Sequence, residues 1–526
     1  MKILFVYPDY PANTSLDSPR HGFYSEGLAS ISAVLKREGH EVSLLHMVNP
    51  LRHEDYIERV KKASPDLVGF SAWTSNFYDV QKYASWTKEA SRDMITLVGG
   101  YHATINPREC ATTNNVDLVI SGEGEGALAE LCSALEEGKG YEHIANLRFM
   151  QNGRYFENPV RPLIENLDRL PIPDFSLFDY SKLESSLINT ANAILSRGCP
   201  YSCTYCCNHK FREIYPNKNR YVRFRSPERS IEYLKKLVSS YPSAKYISFF
   251  DDILPLKKDW FFDFIARYKR EIGLPFACNF RVNLVTDEVV AALKDAGCYR
   301  VHLGVESGND YIRSKILNRR ISREQIVRAF SACHEAGIKT LAYNMVGLPY
   351  EDRRKVIETV KLNAEIGTER VMAAIFYPYP NTKAYEISVE AGFIPENFNY
   401  KDEVSLDQPT LTKAEVRFLS AFFRPLMKTY RLIWKMPTLI SRPAEAILDR
   451  ILYSRHLPHG HLTNFALLSR KIKFRIQDIL KTSSPGLYLF IRNRLLGVSN
   501  HKTELSEPTE LPAARHKIPP VNKKAS

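Results

Sequence analysis

The amino-acid sequence predicts an α/β protein: a doubly wound parallel sheet first, a partial (β/α)6 barrel second, and a basic helical region last. Three observations carry this expectation. Apolar strand-like runs alternate with amphipathic helical stretches from residue 1 to about 140. A second alternating series begins near residue 186. That beat stops near residue 400, where the charge balance changes.

In the first series, residues 3–8 read as a strand, 27–39 as an amphipathic helix closed by glycine, and 40–47 as the next strand. Residues 66–73, 78–92, 95–102 and 116–138 continue the alternation, which argues for helices on both faces of a parallel sheet. The domain is expected to span 1–140. Residues 141–185, punctuated by prolines in LDRLPIPDFSLFDY, are expected to be a linker. The second domain, 186–400, has strands expected at 192–197, 244–252, 275–283, 299–307, 339–349 and 370–380. Chemistry in such a series belongs at the C-terminal strand ends. Residues 401–498 read as helical, apolar and basic, and the polar stretch 499–526 as a disordered tail.

Composition narrows the class. With 526 residues, 44% hydrophobic and 25% charged, the chain has the make-up of a globular protein of two or three domains. The first apolar run is cut by Pro8, unlike a secretory signal, and no window has the roughly 18 apolar residues of a membrane span. A cytoplasmic protein is expected. Of the net charge of +13, residues 401–526 hold 22 Lys+Arg against 10 Asp+Glu, or +12. No stacking platform or recognisable module accompanies that charge, so no nucleic-acid partner is expected. The segment 417–436 mixes bulky apolar residues with Arg and Lys, suiting a peripheral contact with an anionic membrane, a cover for an apolar substrate, or a packed cap with a solvated basic face.

Nine cysteines are present, and Cys199, Cys203 and Cys206 lie inside eight residues. Three thiolates on one loop form a soft donor set for zinc or an iron–sulfur cluster. Zinc would need a fourth ligand, for which Cys207 and His209 are the local candidates, giving a zinc-stabilised binding protein. An open position instead suits a cluster whose fourth iron binds a small molecule.

The C-x3-C-x2-C spacing, on a loop after the first strand of a β/α series, resembles the radical S-adenosylmethionine superfamily. The resemblance implies a [4Fe–4S] cluster on Cys199, Cys203 and Cys206, with S-adenosylmethionine on the fourth iron and Tyr205 near its adenine. It also implies S-adenosylmethionine contacts from Asp251 and Asp252 after the second strand, Arg281 after the third, and Glu306 and Ser307 after the fourth. Gly347, in the turn of Asn344–Pro349, completes the set. A carboxylate suits the methionyl ammonium and a guanidinium its carboxylate.

The preceding α/β domain is similar to the cobalamin-binding domain of a radical S-adenosylmethionine class. That class includes methyltransferases and the anaerobic magnesium-protoporphyrin monomethyl ester cyclase. The matching segments are 27–31, 36–40, Ser71, Gly99-Gly100-Tyr101-His102 and Gly122-Glu123-Gly124-Glu125. The resemblance implies cobalamin contacts from Ser71, Gly99, Gly100, His102, Gly122 and Glu123, beyond the carboxyl ends of the strands. The D-x-H-x-x-G motif that supplies a cobalt ligand elsewhere is absent, since His21 follows Asp17 by four residues. The implied activity is a cobalamin-dependent C-methyltransferase acting through a 5′-deoxyadenosyl radical; an oxidative cyclase or rearrangement enzyme remains open. A small-molecule or lipid-like substrate and an electron donor such as flavodoxin or ferredoxin are implied.

Overall fold

The computed structural model describes residues 1–10, 21–396, 398, 404, 406–454, 456–465, 468 and 484. The expected tail at 499–526 and most of 455–498 lie outside the described residues. Residues 1–459 form one compact unit containing both sheets.

The first sheet contains β1 (Lys2–Pro8), β2 (Glu41–Met47), β3 (Leu67–Ser71), β4 (Ile95–Gly99), β5 (Leu118–Ile120), β6 (Leu147–Gln151) and β7 (Arg154–Glu157), in the order β2-β1-β3-β4-β5-β6-β7. β1 to β5 are parallel, and the chain reverses direction along the sheet between β1 and β3, which opens a crevice beyond the carboxyl ends. Alternate residues of β1 feed two cores: Ile3, Phe5 and Tyr7 one, Leu4 and Val6 the other. Helices α1 (Glu26–Arg37), α2 (His53–Ala63), α3 (Phe77–Ala90), α4 (Tyr101–Ile105), α5 (Pro107–Ala111) and α6 (Glu125–Glu136) complete the layers. The sheet runs on past residue 140, into the segment expected to be linker. β6 and β7 form an antiparallel hairpin on its edge, turned by Asn152 (φ 51°) and Gly153 (φ 73°).

The second sheet is reached through β8 (Thr190–Ala193). A short antiparallel pair, β9 (Ser196–Arg197) and β10 (Arg223–Phe224), follows, with α7 (Asn208–Ile214) between its strands. Then come α8 (Pro227–Ser240), β11 (Tyr246–Phe249), α9 (Lys258–Glu271), β12 (Phe276–Phe280), α10 (Asp287–Asp295), β13 (Cys298–Glu306), α11 (Arg323–Glu335), β14 (Lys339–Val346), α12 (Arg353–Glu365), β15 (Arg370–Ile375) and α13 (Lys383–Glu390). The strands lie in the order β8-β11-β12-β13-β14-β15, all parallel, as a six-stranded partial barrel requires. Phe249, Cys278, Val301, Leu303 and Ala342 pack with the helices in one core. Alternate positions, among them Asn279, His302 and Tyr343, are only half-buried and form the polar inner wall.

Two further helices, α14 (Lys413–Trp434) and α15 (Thr438–Tyr453), follow the barrel. α14 starts on a capping box, with Thr412 and Glu415 bonding reciprocally to backbone N–H groups, and packs on α12 and β15. Among the described residues no helix is long and apolar enough to cross a membrane.

Candidate active site

The cysteine loop leaves β9 through Gly198 (φ 85°), where a Cβ would fall 2.4 Å from the Tyr221 carbonyl oxygen. The loop is tied down along its length. Thr204 donates from its N–H to Leu317 O (3.2 Å) and from its hydroxyl to Ile316 O (2.6 Å). Arg212 donates to Pro200 O at 2.7 Å and Asn318 to Ser202 O at 2.9 Å. These bonds fix the path of the loop's backbone.

Donors converge on its sulfurs. Arg281 Nη1 lies 3.6 Å and Arg319 Nη1 3.8 Å from Cys203 Sγ, and Asn208 Nδ2 lies 3.6 Å from Cys206 Sγ. Two buried guanidiniums around one thiol suit an anionic sulfur-ligated cluster better than neutral thiols. Burial pushes the Cys199 thiol up to about 12. Of the two local candidates for a fourth zinc ligand, the Cys207 thiol is hydrogen-bonded to Cys206, and buried His209 accepts at Nε2 from the Lys383 N–H at 3.3 Å. Among the described residues no three His, Cys, Asp or Glu side chains converge on a single-ion site.

Tyr205, Glu306 and Arg319 interlock beside the loop. Tyr205 donates to Glu306 Oε1 at 3.0 Å, while Arg319 donates to the Tyr205 hydroxyl (3.1 Å) and to Gly304 O (2.6 Å). A bulge at the end of β13 sets Glu306 at φ 65°, a left-handed backbone that a glutamate adopts only where its surroundings impose it. Burial raises the Glu306 carboxyl, and Arg319 is held cationic by Tyr205, Glu306 and Cys203 in spite of its own burial.

The paired aspartates divide. Asp251 Oδ1 accepts from the N–H groups of Leu195 (3.0 Å) and Ser196 (2.7 Å) and from the Ser196 hydroxyl. Burial pushes its carboxyl up to about 7. It holds the chain between β8 and β9, so it is Asp252 that remains open, with Asn208 Nδ2 on its Oδ2 at 3.1 Å. Arg281 is braced by Asn283 Oδ1 (2.8 Å) and by the Tyr201 ring 3.7 Å away. Ser307 is fully buried against Thr359, and Gly347 (φ 86°) lies under α14, where a Cβ would meet Val416 at 3.0 Å. These two therefore sit within the packing around the strand ends rather than beside the sulfurs.

In the first sheet, Ser71 and Gly99 end adjacent strands, and no atom lies within 4 Å of a Cβ built on Gly99. Gly100 (φ 98°) lies so close to Ala72 O that a Cβ would be 2.9 Å away. His102 is fully buried, with Nδ1 3.2 Å from Thr74 Oγ1 and its ring 4.4 Å from Phe77, so it is a packed core side chain. Gly122 (φ 87°) faces the Tyr215 hydroxyl, 2.8 Å from where a Cβ would be. The Glu123 carboxylate is committed to the seam between the sheets. It accepts from Arg197 Nη1 (2.8 Å), Arg223 Nη1 (2.9 Å) and the Ile164 N–H (2.9 Å). Glu125 takes the other end of Arg197 and the Ser30 hydroxyl. Arg197 lies two residues before Cys199, so the root of the cysteine loop is bound to the first sheet. Tyr101, after Gly100, stacks on Phe211 of α7 at 5.5 Å. α4 packs on α7 there, so this turn of the first sheet lies against the helix that follows the cysteine loop.

Several groups here carry no sequence signal. Arg319 lies in an irregular turn, Arg223 is distant from its partners, and Asn279, His302 and Tyr343 (3.3 and 3.4 Å apart along the chain of contacts) emerge only from strand alternation. Burial, then Arg300 and Arg370, push His302 down to about 4, so it is neutral at pH 7. Asp9 and His46, 2.9 Å apart at the ends of β1 and β2, are another such pair.

A sulfur-lined loop at the head of a six-stranded parallel barrel, facing the strand ends of a doubly wound sheet, defines a radical enzyme with a second cofactor domain. Family models agree: residues 193–362 match the Radical SAM superfamily and residues 19–132 the B12 binding domain. An uncharacterized methyltransferase of Pyrococcus horikoshii is 31% identical over 72% of this chain and 82% of that relative. The anaerobic magnesium-protoporphyrin IX monomethyl ester cyclase of Rubrivivax gelatinosus is 26% identical (76% and 72%), and the hopanoid C-3 methylase of Methylococcus capsulatus 24% (93% and 87%). The solved cobalamin-dependent S-adenosylmethionine radical enzyme OxsB shares the fold, with a TM-score of 0.64 and 17% identity over 92% of this chain and 75% of that one. The chain belongs to the cobalamin-dependent radical S-adenosylmethionine methyltransferase family. Its cofactors are a [4Fe–4S] cluster, S-adenosylmethionine and cobalamin.

Proposed function

We propose that the protein methylates an unactivated carbon of a lipid-like small molecule. One observation carries the reading: the Gly99-Gly100-Tyr101 turn of the first sheet packs on α7, which starts directly after Cys206 and Cys207, and this supports a single space addressed by both cofactors. When bound, the cluster and S-adenosylmethionine supply a hydrogen-abstracting 5′-deoxyadenosyl radical, and cobalamin supplies a transferable methyl group. Cys199, Cys203 and Cys206 are the cluster ligands, and Arg281, Arg319 and Asn208 balance charge on their sulfurs. Asp252 accepts the methionyl ammonium, while Asp251 positions the strand before the loop. Glu306, fixed by Arg319 and Tyr205, faces the ribose. Ser71, Gly99 and Gly100 line the cobalamin crevice. Asn279, His302 and Tyr343 form the wall against which substrate rests, with His302 serving as a neutral hydrogen-bond group. A flavodoxin or ferredoxin delivers the electron.

The alignment with the hopanoid C-3 methylase extends through most of the C-terminal region, which supports the lipid-like acceptor. The cyclase relative supports a second reading, carbon-skeleton change without methyl transfer. The anaerobically reconstituted chain, given S-adenosylmethionine with a deuterated methyl group and a panel of apolar acceptors, separates the two. Labelled product with both 5′-deoxyadenosine and S-adenosylhomocysteine supports methylation. Product with 5′-deoxyadenosine and no label refutes it in favour of the second reading.

A further inference from the structure

The last two helices present a surface that the cofactor chemistry does not use. α14 is amphipathic and buries Val416, Phe418, Leu419 and Phe423 beneath it, whereas α15 buries only Leu452. On α15, Leu439 is 90%, Ile440 56%, Ile447 62% and Ile451 48% exposed. Leu432, Trp434 and Met436, at the elbow between the helices, are also exposed. At 3.6 residues per turn, Ile440, Ile447 and Ile451 of α15 fall on one stripe. Large apolar side chains scattered singly are ordinary; seven gathered on one elbow mark an interaction surface.

Charge identifies the occupant. The three carboxylates on α14 and α15 are each held in an ion pair, buried Glu415 with Arg353 (2.7 Å), and half-buried Glu445 and Asp449 with Lys361 (2.7 and 2.6 Å). The exposed charges that remain on the two helices are cations, among them Arg424, Lys428, Lys435, Arg442 and Arg450. Apolar side chains rimmed by cations, with every carboxylate of the two helices already paired, suit a surface of negative lipid headgroups. Two copies placed face to face would oppose like charges. With 16 residues, α15 is shorter than the roughly 20 needed to span a bilayer, and its exposed stripe lies along one side, as in a helix resting in the interfacial plane.

We propose that the α14–α15 elbow docks this enzyme on anionic membranes. Leu439, Ile440, Ile447 and Ile451 enter the headgroup boundary, Trp434 sits at its edge, and Lys435, Arg442 and Arg450 meet lipid phosphates. Such docking needs neither the cluster nor methyl transfer.

Vesicle flotation of the reconstituted full chain tests it, using phosphatidylcholine alone and phosphatidylcholine with phosphatidylglycerol, at low and high salt. The protein should float with the anionic vesicles only, and less at high salt. Neutralising Lys435 and Arg442 together (K435Q/R442Q) should weaken binding about 25-fold, at about fivefold per cation. Leu439→Glu, Ile440→Glu and Ile447→Glu combined should abolish it; cluster absorbance and thermal midpoint report whether that variant is folded, and the lipid and salt series decides if it is not. Absence of flotation with either vesicle overturns the proposal, as does unchanged binding of the folded triple variant. A dimer that the triple variant converts to monomer would assign the surface to a second copy, and binding that appears only after proteolysis beyond residue 459 would assign it to the chain's own C-terminal segment; either also overturns it.

Discussion

Glu351 gives the sharpest test of how this fold treats a buried acid. It is fully buried in the turn after β14, where its Oε2 accepts from the N–H groups of Gly347 (2.7 Å) and Leu348 (3.1 Å). Its Oε1 has no hydrogen-bond partner among the described residues. Burial outweighs the two donors and pushes the carboxyl from 4.5 up to about 8. At 1.36 kcal/mol per decade of proton affinity, that difference is worth at most ~5 kcal/mol. The folded value lies above the unfolded one, so the contribution is complete below about pH 4.5 and is lost progressively as pH rises towards about 8. Glu351→Gln keeps the shape of the protonated acid and cannot ionise. Its thermal midpoint should match the parent near the acid end of that window and exceed it near the alkaline end, by at most ~10 °C at roughly 2 °C per kcal/mol. Scanning calorimetry of both anaerobic proteins across the window measures this. Parallel curves would refute the reasoning, because they would mean that the backbone donors keep Glu351 ionised throughout.

Cys203→Ala should remove the broad cluster absorption at roughly 400 nm, whereas Cys207→Ala should keep it; loss in both variants would place Cys207 among the ligands. Arg319→Gln should lower the cluster's midpoint potential in a redox titration and reduce turnover about 10–100-fold, the usual range for a residue that braces a metal ligand. An unchanged potential would confine Arg319 to holding Glu306 and Tyr205.

The strand and helix order was legible because each strand is a compact apolar run and each helix an amphipathic one with its own stop signal, as between Ser25 and Gly39. The cysteine loop was legible because its ligands are local in sequence. What escaped depends on distance along the chain or on irregular backbone. Arg197 meets Glu123 across 74 residues and Arg223 meets it across 100, so no local pattern could turn Glu123 from a cofactor contact into a seam residue. Arg319 lies just past a short π-helical turn, Ile312–Ile316, whose wider spacing differs from that of an ordinary helix. Asp251 and Asp252 are neighbours in sequence, yet strand geometry sends one inward to the backbone of Leu195 and Ser196 and leaves the other open. The Asn152-Gly153 hairpin did carry a signal, but its short strands alternate too weakly to stand out from the irregular stretch around them.

The seam around Arg197 limits how freely this architecture can be recombined. Arg223 and Arg225 are almost wholly buried, and Arg197 mostly so, and their carboxylates (Glu123, Glu125 and Glu26) all come from the first sheet's side of the boundary. Grafting another cofactor module onto this barrel without matching acids would strand three guanidiniums, each an uncompensated charge of the kind that costs several kcal/mol. Lineages that exchange the front module must therefore inherit both halves of the boundary together, so partners in chimaeric enzymes are best chosen by these six side chains rather than by overall similarity.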